Sequence, residues 1–184
     1  MKKLIVAAFA LLIVTSCKKL TDLANIKFVI PYSKTVAVPG LPGNPFIPPT
    51  GLTTSIPTIA VESKSEEYIK KYNTSSELIT KVIFTELKLE ITEPATQNFD
   101  LVDSIWLFVS ASGLPEVQSA HYFNVPKGTR TIDMVTSDVN MKEYFLKDSM
   151  YFRLQGHFHN APDSASVFTI SSKFDVTANP LKKK

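Results

Sequence analysis

The residues best suited to chemistry in this chain are its three histidines, His121, His157 and His159. His157 and His159 stand two apart in a β-patterned stretch, and a period of two puts both rings on one face. Two imidazoles so placed can reach one cation, which then needs one or two further ligands. His121, in the segment 117–125, is a third if that segment pairs alongside. Tyr151, Arg153 and Gln155 continue the same row, and a solvated polar face accounts for the row without any ion. Asp100 with Asp103, and Glu86 with Glu90, are the carboxylate pairs that acid–base chemistry could draw on. Their settings read otherwise: the glutamates fall on the polar side of an alternating segment, the aspartates in a loop. No G-x-S-x-G, H-E-x-x-H, phosphate-loop or dinucleotide-binding pattern occurs. The expectation is a protein that is not an enzyme and carries no cofactor.

Cys17 is the sole cysteine, so no disulfide can form within the chain. It closes the stretch MKKLIVAAFALLIVTSC, in which Lys2 and Lys3 precede an unbroken apolar run over 4–14 and the small residues Thr15 and Ser16. That is the layout of a secretory signal peptide. The apolar run is shorter than the ~20 residues that span a bilayer core. Val14-Thr15-Ser16-Cys17 resembles the lipobox of bacterial lipoproteins. The resemblance implies a signal peptide over 1–16, cleavage before Cys17, a diacylglyceryl group on its thiol and a lipid-anchored tether over 17–25. Each buried methylene of such a lipid contributes about 0.8 kcal/mol, and more than one chain gives stable anchoring. Enteric lipoproteins kept at the inner membrane resemble one another in an aspartate after the cysteine; Lys18 stands there instead, which implies the outer membrane. Surface-exposed Bacteroidota-type lipoproteins carry acidic residues at this point, whereas Lys18-Lys19 is basic, so the periplasmic and cell-surface faces both stay open.

The 184 residues carry a formal charge of +3 and a pI of 8.9. Lys2, Lys3, Lys18, Lys19, Lys182, Lys183 and Lys184 lie at the ends, and without them acidic residues outnumber basic ones. Arginine occurs only as Arg130 and Arg153. With no basic face and no interleaved aromatics, nucleic acid is not an expected partner. Residues 26–179 suit a single domain with its own core, and 180–184 a basic tail.

Strands must position the candidate residues. Residues 26–38 are β-rich but broken by Pro31, which predicts an edge strand or two short strands. The segment 39–57 is dense in proline and glycine and cannot be central sheet. It is either an apolar binding loop or a strap whose Phe46 and Ile47 plug one end of the fold. Residues 56–62 read as a short strand. Ser63-Lys64-Ser65-Glu66 reads as a capping box before a helix over 66–72, and Ser137-Asp138 as the cap of a second over 139–146. Along 81–92, Ile83, Leu87, Leu89 and Ile91 fall on one face. Along 104–111, Ile105, Leu107 and Val109 point one way, Trp106 and Phe108 the other. That strand is central and covered twice, or it presents an apolar patch. Further strands follow at 117–125, 131–135, 150–158 and 167–177. The expected fold is all-β: an antiparallel, immunoglobulin-like β-sandwich of seven to eight strands with one or two short helices.

From the anchor onward the chain resembles small Bacteroidota-type lipoproteins with a β-sandwich body and no assigned activity. DSIWLFVSASGLPE, DVNMKEYF and FTISSKFDV carry that likeness. Asp103-Ser104-Ile105, Asp148-Ser149-Met150 and Asp163-Ser164-Ala165 resemble the O-glycosylation motif of exported Bacteroidota proteins, which implies sugar on Ser104, Ser149 and Ser164. Asp-Ser is also ordinary turn chemistry ahead of a strand. The expectation is a lipid-anchored, non-catalytic binding module of the cell envelope. Its membrane contact is the lipid, and Trp106, Phe108, Phe46 and Ile47 would hold a protein or glycan partner. Two alternatives stand beside it: a structural or assembly accessory whose lipid is its main functional group, and a metal-binding protein built on His157, His159 and His121.

Overall fold

The computed structural model describes residues 25–40, 47–160 and 165–181. Cys17, Phe46 and Ser164 lie outside the described residues. Among the described residues, ten strands form two antiparallel sheets that share one core. The first sheet runs β1 (Ile26–Val38), β10 (Ser166–Ala178), β4 (Ile79–Glu93), β7 (Thr131–Asp133). The second runs β2 (Leu52–Ser55), β9 (Ser149–Phe158), β5 (Val102–Ala111), β6 (Leu114–Phe123), β8 (Val135–Thr136), with β3 (Ile59–Glu62) also on β9. The fold is the all-β antiparallel sandwich expected from the sequence, with β1 and its Pro31 at an edge.

The strand number exceeds seven to eight for two local reasons. Leu52–Ser55 is a proline-free stretch inside the Pro-rich segment, and it pairs with β9 as an edge strand. Residues 131–136 cross between the sheets: β7 pairs with β4, β8 with β6, and buried Met134 sits at the crossing with its N–H on the Leu87 carbonyl at 2.8 Å.

Bulges set which side chains face the core. An extra residue in one strand sends two consecutive side chains to the same side and inverts the alternation beyond it. At Thr85, β4 gains one residue on β10, so Val82 and Phe84 face the core on one side of it and Leu87, Leu89 and Ile91 on the other. This corrects the expectation for Ile83, which lies on the outer face, half-exposed. At Ser119, β6 gains one residue on β5, and at Asp103, β5 gains one on β9.

Phe84 and Phe174 of the first sheet pack 4.0 Å apart between ring centres, and Phe84 meets Phe152 of the second sheet at 6.0 Å. Phe152, Phe174, Leu107, Leu89 and Val109 are almost fully buried. Truncating one of these phenylalanines to alanine costs about 3–5 kcal/mol.

Helix α1 (Ser65–Lys71) covers β1, stacking Tyr72 on Phe28 at 4.1 Å. Its N-cap is Lys64 in the left-handed region, with no side-chain cap. The expected capping box is therefore absent, and the Ser63 hydroxyl instead accepts the Ser65 N–H at 3.3 Å. Helix α2 is a single turn, Lys142–Phe145. Its N-cap is Met141 rather than Ser137-Asp138, and the preceding Asn140 accepts the N–H groups of Lys142 and Val82 on its Oδ1, tying the turn to β4. Among the described residues no helix is long and apolar enough to cross a membrane.

Candidate functional site

β5 lies in the middle of the six-stranded sheet. Ile105, Leu107 and Val109 are buried, while Trp106 and Phe108 are half-buried on the opposite face. The strand is thus covered on one side, and the other carries an aromatic row. The bulge at Ser119 aims His121 and Phe123 to that side. Trp106 meets Phe123 edge-on at 5.8 Å between ring centres, and His121 lies 4.7 Å from Phe123. Phe123 is 51% exposed and Tyr151 40%. Alternation puts both on the Trp106 side, as the β5 register confirms (Ser104 opposite Phe123, Ser110 opposite Tyr151).

Phe108 is not bare. The Arg153 guanidinium stands 4.3 Å from its ring centre, a cation–π contact. The same side chain donates to both Glu116 carboxylate oxygens, at 2.8 and 2.5 Å, and to the Ser55 hydroxyl at 2.8 Å. One arginine thereby ties β9 to β5, β6 and β2. The Arg153 hydrogen bonds hold the Glu116 carboxyl below its ordinary range, and the same bonds push Arg153 up.

A second cluster forms where β9 ends. Val102 and Ile105 are both buried, so the bulge between them turns Asp103 and Ser104 together to the outer side. Asp103 Oδ2 accepts the His159 Nε2–H at 2.8 Å. The imidazoles of His157 and His159 are edge-on at 5.4 Å. His157 is gripped by the Pro-rich segment: its Nε2 faces the Thr50 carbonyl at 3.0 Å and its Nδ1 the Thr53 hydroxyl at 2.9 Å. A carbonyl only accepts, so Nε2 carries the hydrogen and Nδ1 the lone pair. Gly51, at φ +83°, closes a turn onto the Pro48 carbonyl, and a Cβ there would collide with the His157 ring. Burial pushes the Asp103 carboxyl up, but hydrogen bonds from Ser104 and His159 and the fields of both histidines hold it below its ordinary value. One ligand atom from each of Asp103, His157 and His159 lies within 4.8 Å of the other two.

His121 is not part of this cluster. It stands opposite Trp106, on the far side of β5 from β9 and one step along from the His157 row. Strand spacing and rise separate the two by about 10–12 Å. The third member is Asp103, which the sequence pairs instead with Asp100. Asp100 Oδ1 accepts the Gly128 N–H at 2.6 Å. Glu86 and Glu90 meet Lys173 and Lys88 at 2.8 and 3.8 Å on the outer face of the other sheet. Ser104 lies within β5 between Phe123 and His157, and Ser149 opens β9 half-buried. Ile47 is half-buried and falls outside both clusters. Phe123 is the face residue that sequence reasoning misses, while Tyr151 and Arg153 fall on the outward row as expected but join the aromatic face rather than a merely solvated one. The signal for Asp103 is the three-residue spacing of Val102 and Ile105 in an otherwise alternating strand.

No protein-family model matches the chain, and no curated protein matches it. Among solved structures it is similar to a decameric BFDV capsid protein, with a TM-score of 0.43 and 6% identity over 84% of this chain and 99% of that one. It is also similar to the protein of Desmodium yellow mottle tymovirus, with a TM-score of 0.28 and 13% identity over 86% of this chain and 92% of that one. Likeness this distant bears on no activity, and the sandwich rests on its own strand pairing.

Proposed function

We propose that the chain is a lipid-anchored, non-catalytic binding module of the cell envelope, and that the outer face of its six-stranded sheet is the binding surface. The observation that carries this reading is the row Phe123–Trp106–Phe108 on the solvent side of the central strand. Tyr151, Gln155, Gln118 and the Arg153–Glu116 pair lie around it. Aromatic faces beside planar hydrogen-bonding groups fit a glycan or a protein partner through stacking and directed polar contacts. The lipid rests on the lipobox resemblance at Cys17, and the outer-membrane location on Lys18 standing where lipoproteins kept at the inner membrane resemble one another in an aspartate.

Trp106 is the sole tryptophan, so its emission reports on this face. The purified chain is titrated with soluble envelope polysaccharides in one arm and purified envelope proteins in the other. A saturable emission change in one arm is expected, with affinity falling about tenfold or more in Phe123→Ala. No saturable change in either arm, or an unweakened response in Phe123→Ala, counts against the face.

A further inference from the structure

We propose that Asp103, His157 and His159 form a binding site for a divalent transition-metal cation of the zinc class, at the end of the sandwich where the Pro-rich segment returns to the sheet. Three independent features converge on it. The first is proximity: two imidazoles and one carboxylate offer ligand atoms all within 4.8 Å of one another, and two histidines with one carboxylate is a three-ligand set that leaves a position open on zinc.

The second is a carboxylate oxygen without a well-formed partner. Asp103 Oδ2 is engaged by His159, while Oδ1, on a side chain 42% exposed overall, is itself covered and has only the nearby Ser104 hydroxyl, outside good hydrogen-bond geometry, among the described residues. A cation offers that oxygen a partner. The backbone bulge at Asp103 is what aims the carboxylate there, and bulges recur beside functional sites because they re-aim side chains.

The third is the outer support of His157. Its Nε2–H is fixed on the Thr50 carbonyl, leaving the lone pair on Nδ1, which accepts from the Thr53 hydroxyl at 2.9 Å and would exchange that donor for the cation. A backbone carbonyl holding the far N–H is the usual device that orients a metal-bound imidazole. Gly51 admits the ring only because it lacks a side chain. His159, 42% exposed at its side chain, gives the ion a route in from solvent. Imidazole and carboxylate together suit zinc, and also nickel and copper, rather than calcium or magnesium. The site would join β5, β9 and the Pro-rich segment at one point, and it stands apart from the aromatic row assigned to binding.

The test uses the full chain without a histidine tag, dialysed against micromolar Zn²⁺ and assayed for bound metal. One ion per chain is expected. His159→Ala should weaken binding at least about tenfold, as should Asp103→Asn, while His121→Ala should bind as the parent does. His159 is exposed, so its variant is expected to fold and decides the matter if Asp103→Asn does not. No stoichiometric zinc in the parent, or full binding retained in His159→Ala, overturns the site. So does an equal loss in His121→Ala, because a cluster of surface histidines would then be responsible. None of these outcomes depends on the aromatic face having a partner.

Discussion

Arg153 holds the outer face together because a guanidinium offers a flat stacking surface and a fork of donors at once. It stacks on Phe108, takes both oxygens of Glu116 and reaches Ser55. Its pairing with Glu116 has a pH signature. The folded-state pKa of Glu116 lies below its ordinary value, so the pair's stabilisation is fully present above about pH 4.3 and is lost as pH falls through the folded value. In Arg153→Met, thermal melts from pH 3 to 8 should show a roughly constant deficit above about pH 5 that shrinks below about pH 4. With side chains 26% and 38% exposed, the ionic part of that deficit stays within about 1 kcal/mol. A deficit that grows on acidification would contradict the sign. At this scale the sequence is legible where a period of two suffices: His157 and His159 share a face because strand geometry requires it. Asp103 escapes that reasoning, since only the bulge brings it to them, and Phe123 escapes it through the bulge at Ser119.

Elements are readable from sequence to the extent that their alternation is unbroken. β9 and β10 match their patterns closely, with Met150, Phe152 and Leu154 inward in one and Ile170, Phe174 and Val176 in the other. β4 does not, because Phe84 and Leu87 are three apart across the Thr85 bulge. The caps fail for a different reason. A serine can satisfy a nearby N–H without starting a helix, as Ser63 does. What ends β4 is equally invisible locally: Arg130, just ahead of β7, donates to the carbonyls of Ile91, Thr92, Pro94 and Ala95. Those carbonyls belong to the strand end and the reversal after it, where no sheet neighbour serves Pro94 and Ala95. Hydrogen bonds from a charged donor contribute about 1.5–3 kcal/mol when buried and less near solvent. Arg130→Ala should therefore lower unfolding stability by about 2 kcal/mol, moving the urea midpoint without changing the slope. Arg130→Lys should recover only part, because a point charge cannot serve spread carbonyls as a fork does. A loss below about 0.5 kcal/mol in Arg130→Ala would show that water replaces the guanidinium at no cost.

For the molecule as a whole, the strand registers fix which end faces which way. Ile26 pairs with Ala178, and Ala178 with Ile79, so both ends of the sandwich domain meet at one pole. Val38 pairs with Ser166 and Glu93 with Val167 at the other. Chain leaving β4 there turns through Phe99–Leu101 directly into β5, and the His159 N–H returns to the Leu101 carbonyl. Asp103, His157, His159 and the Thr50–Gly51 turn thus occupy the pole opposite Ile26. Thirteen residues of β1 at about 3.3 Å each put the poles roughly 40 Å apart. The Asp–His cluster thus lies at the pole opposite Ile26, where the chain from the proposed lipid on Cys17 enters the domain, and the aromatic row lies on the flank between the poles. The anchor and the sheet face are then separable parts, which discriminates a binding module from a structural accessory whose lipid is its main functional group. Cys17→Ser, exported and compared with the parent by membrane fractionation and by the Trp106 titration, should move to the soluble fraction. Its melting temperature and its affinity should stay as they were, since the core of the described residues is built between Phe28 and Ala178. Membrane association that survives the substitution would remove the lipid as the anchor. Loss of binding in a folded Cys17→Ser chain would move the functional role from the sheet face to the lipid.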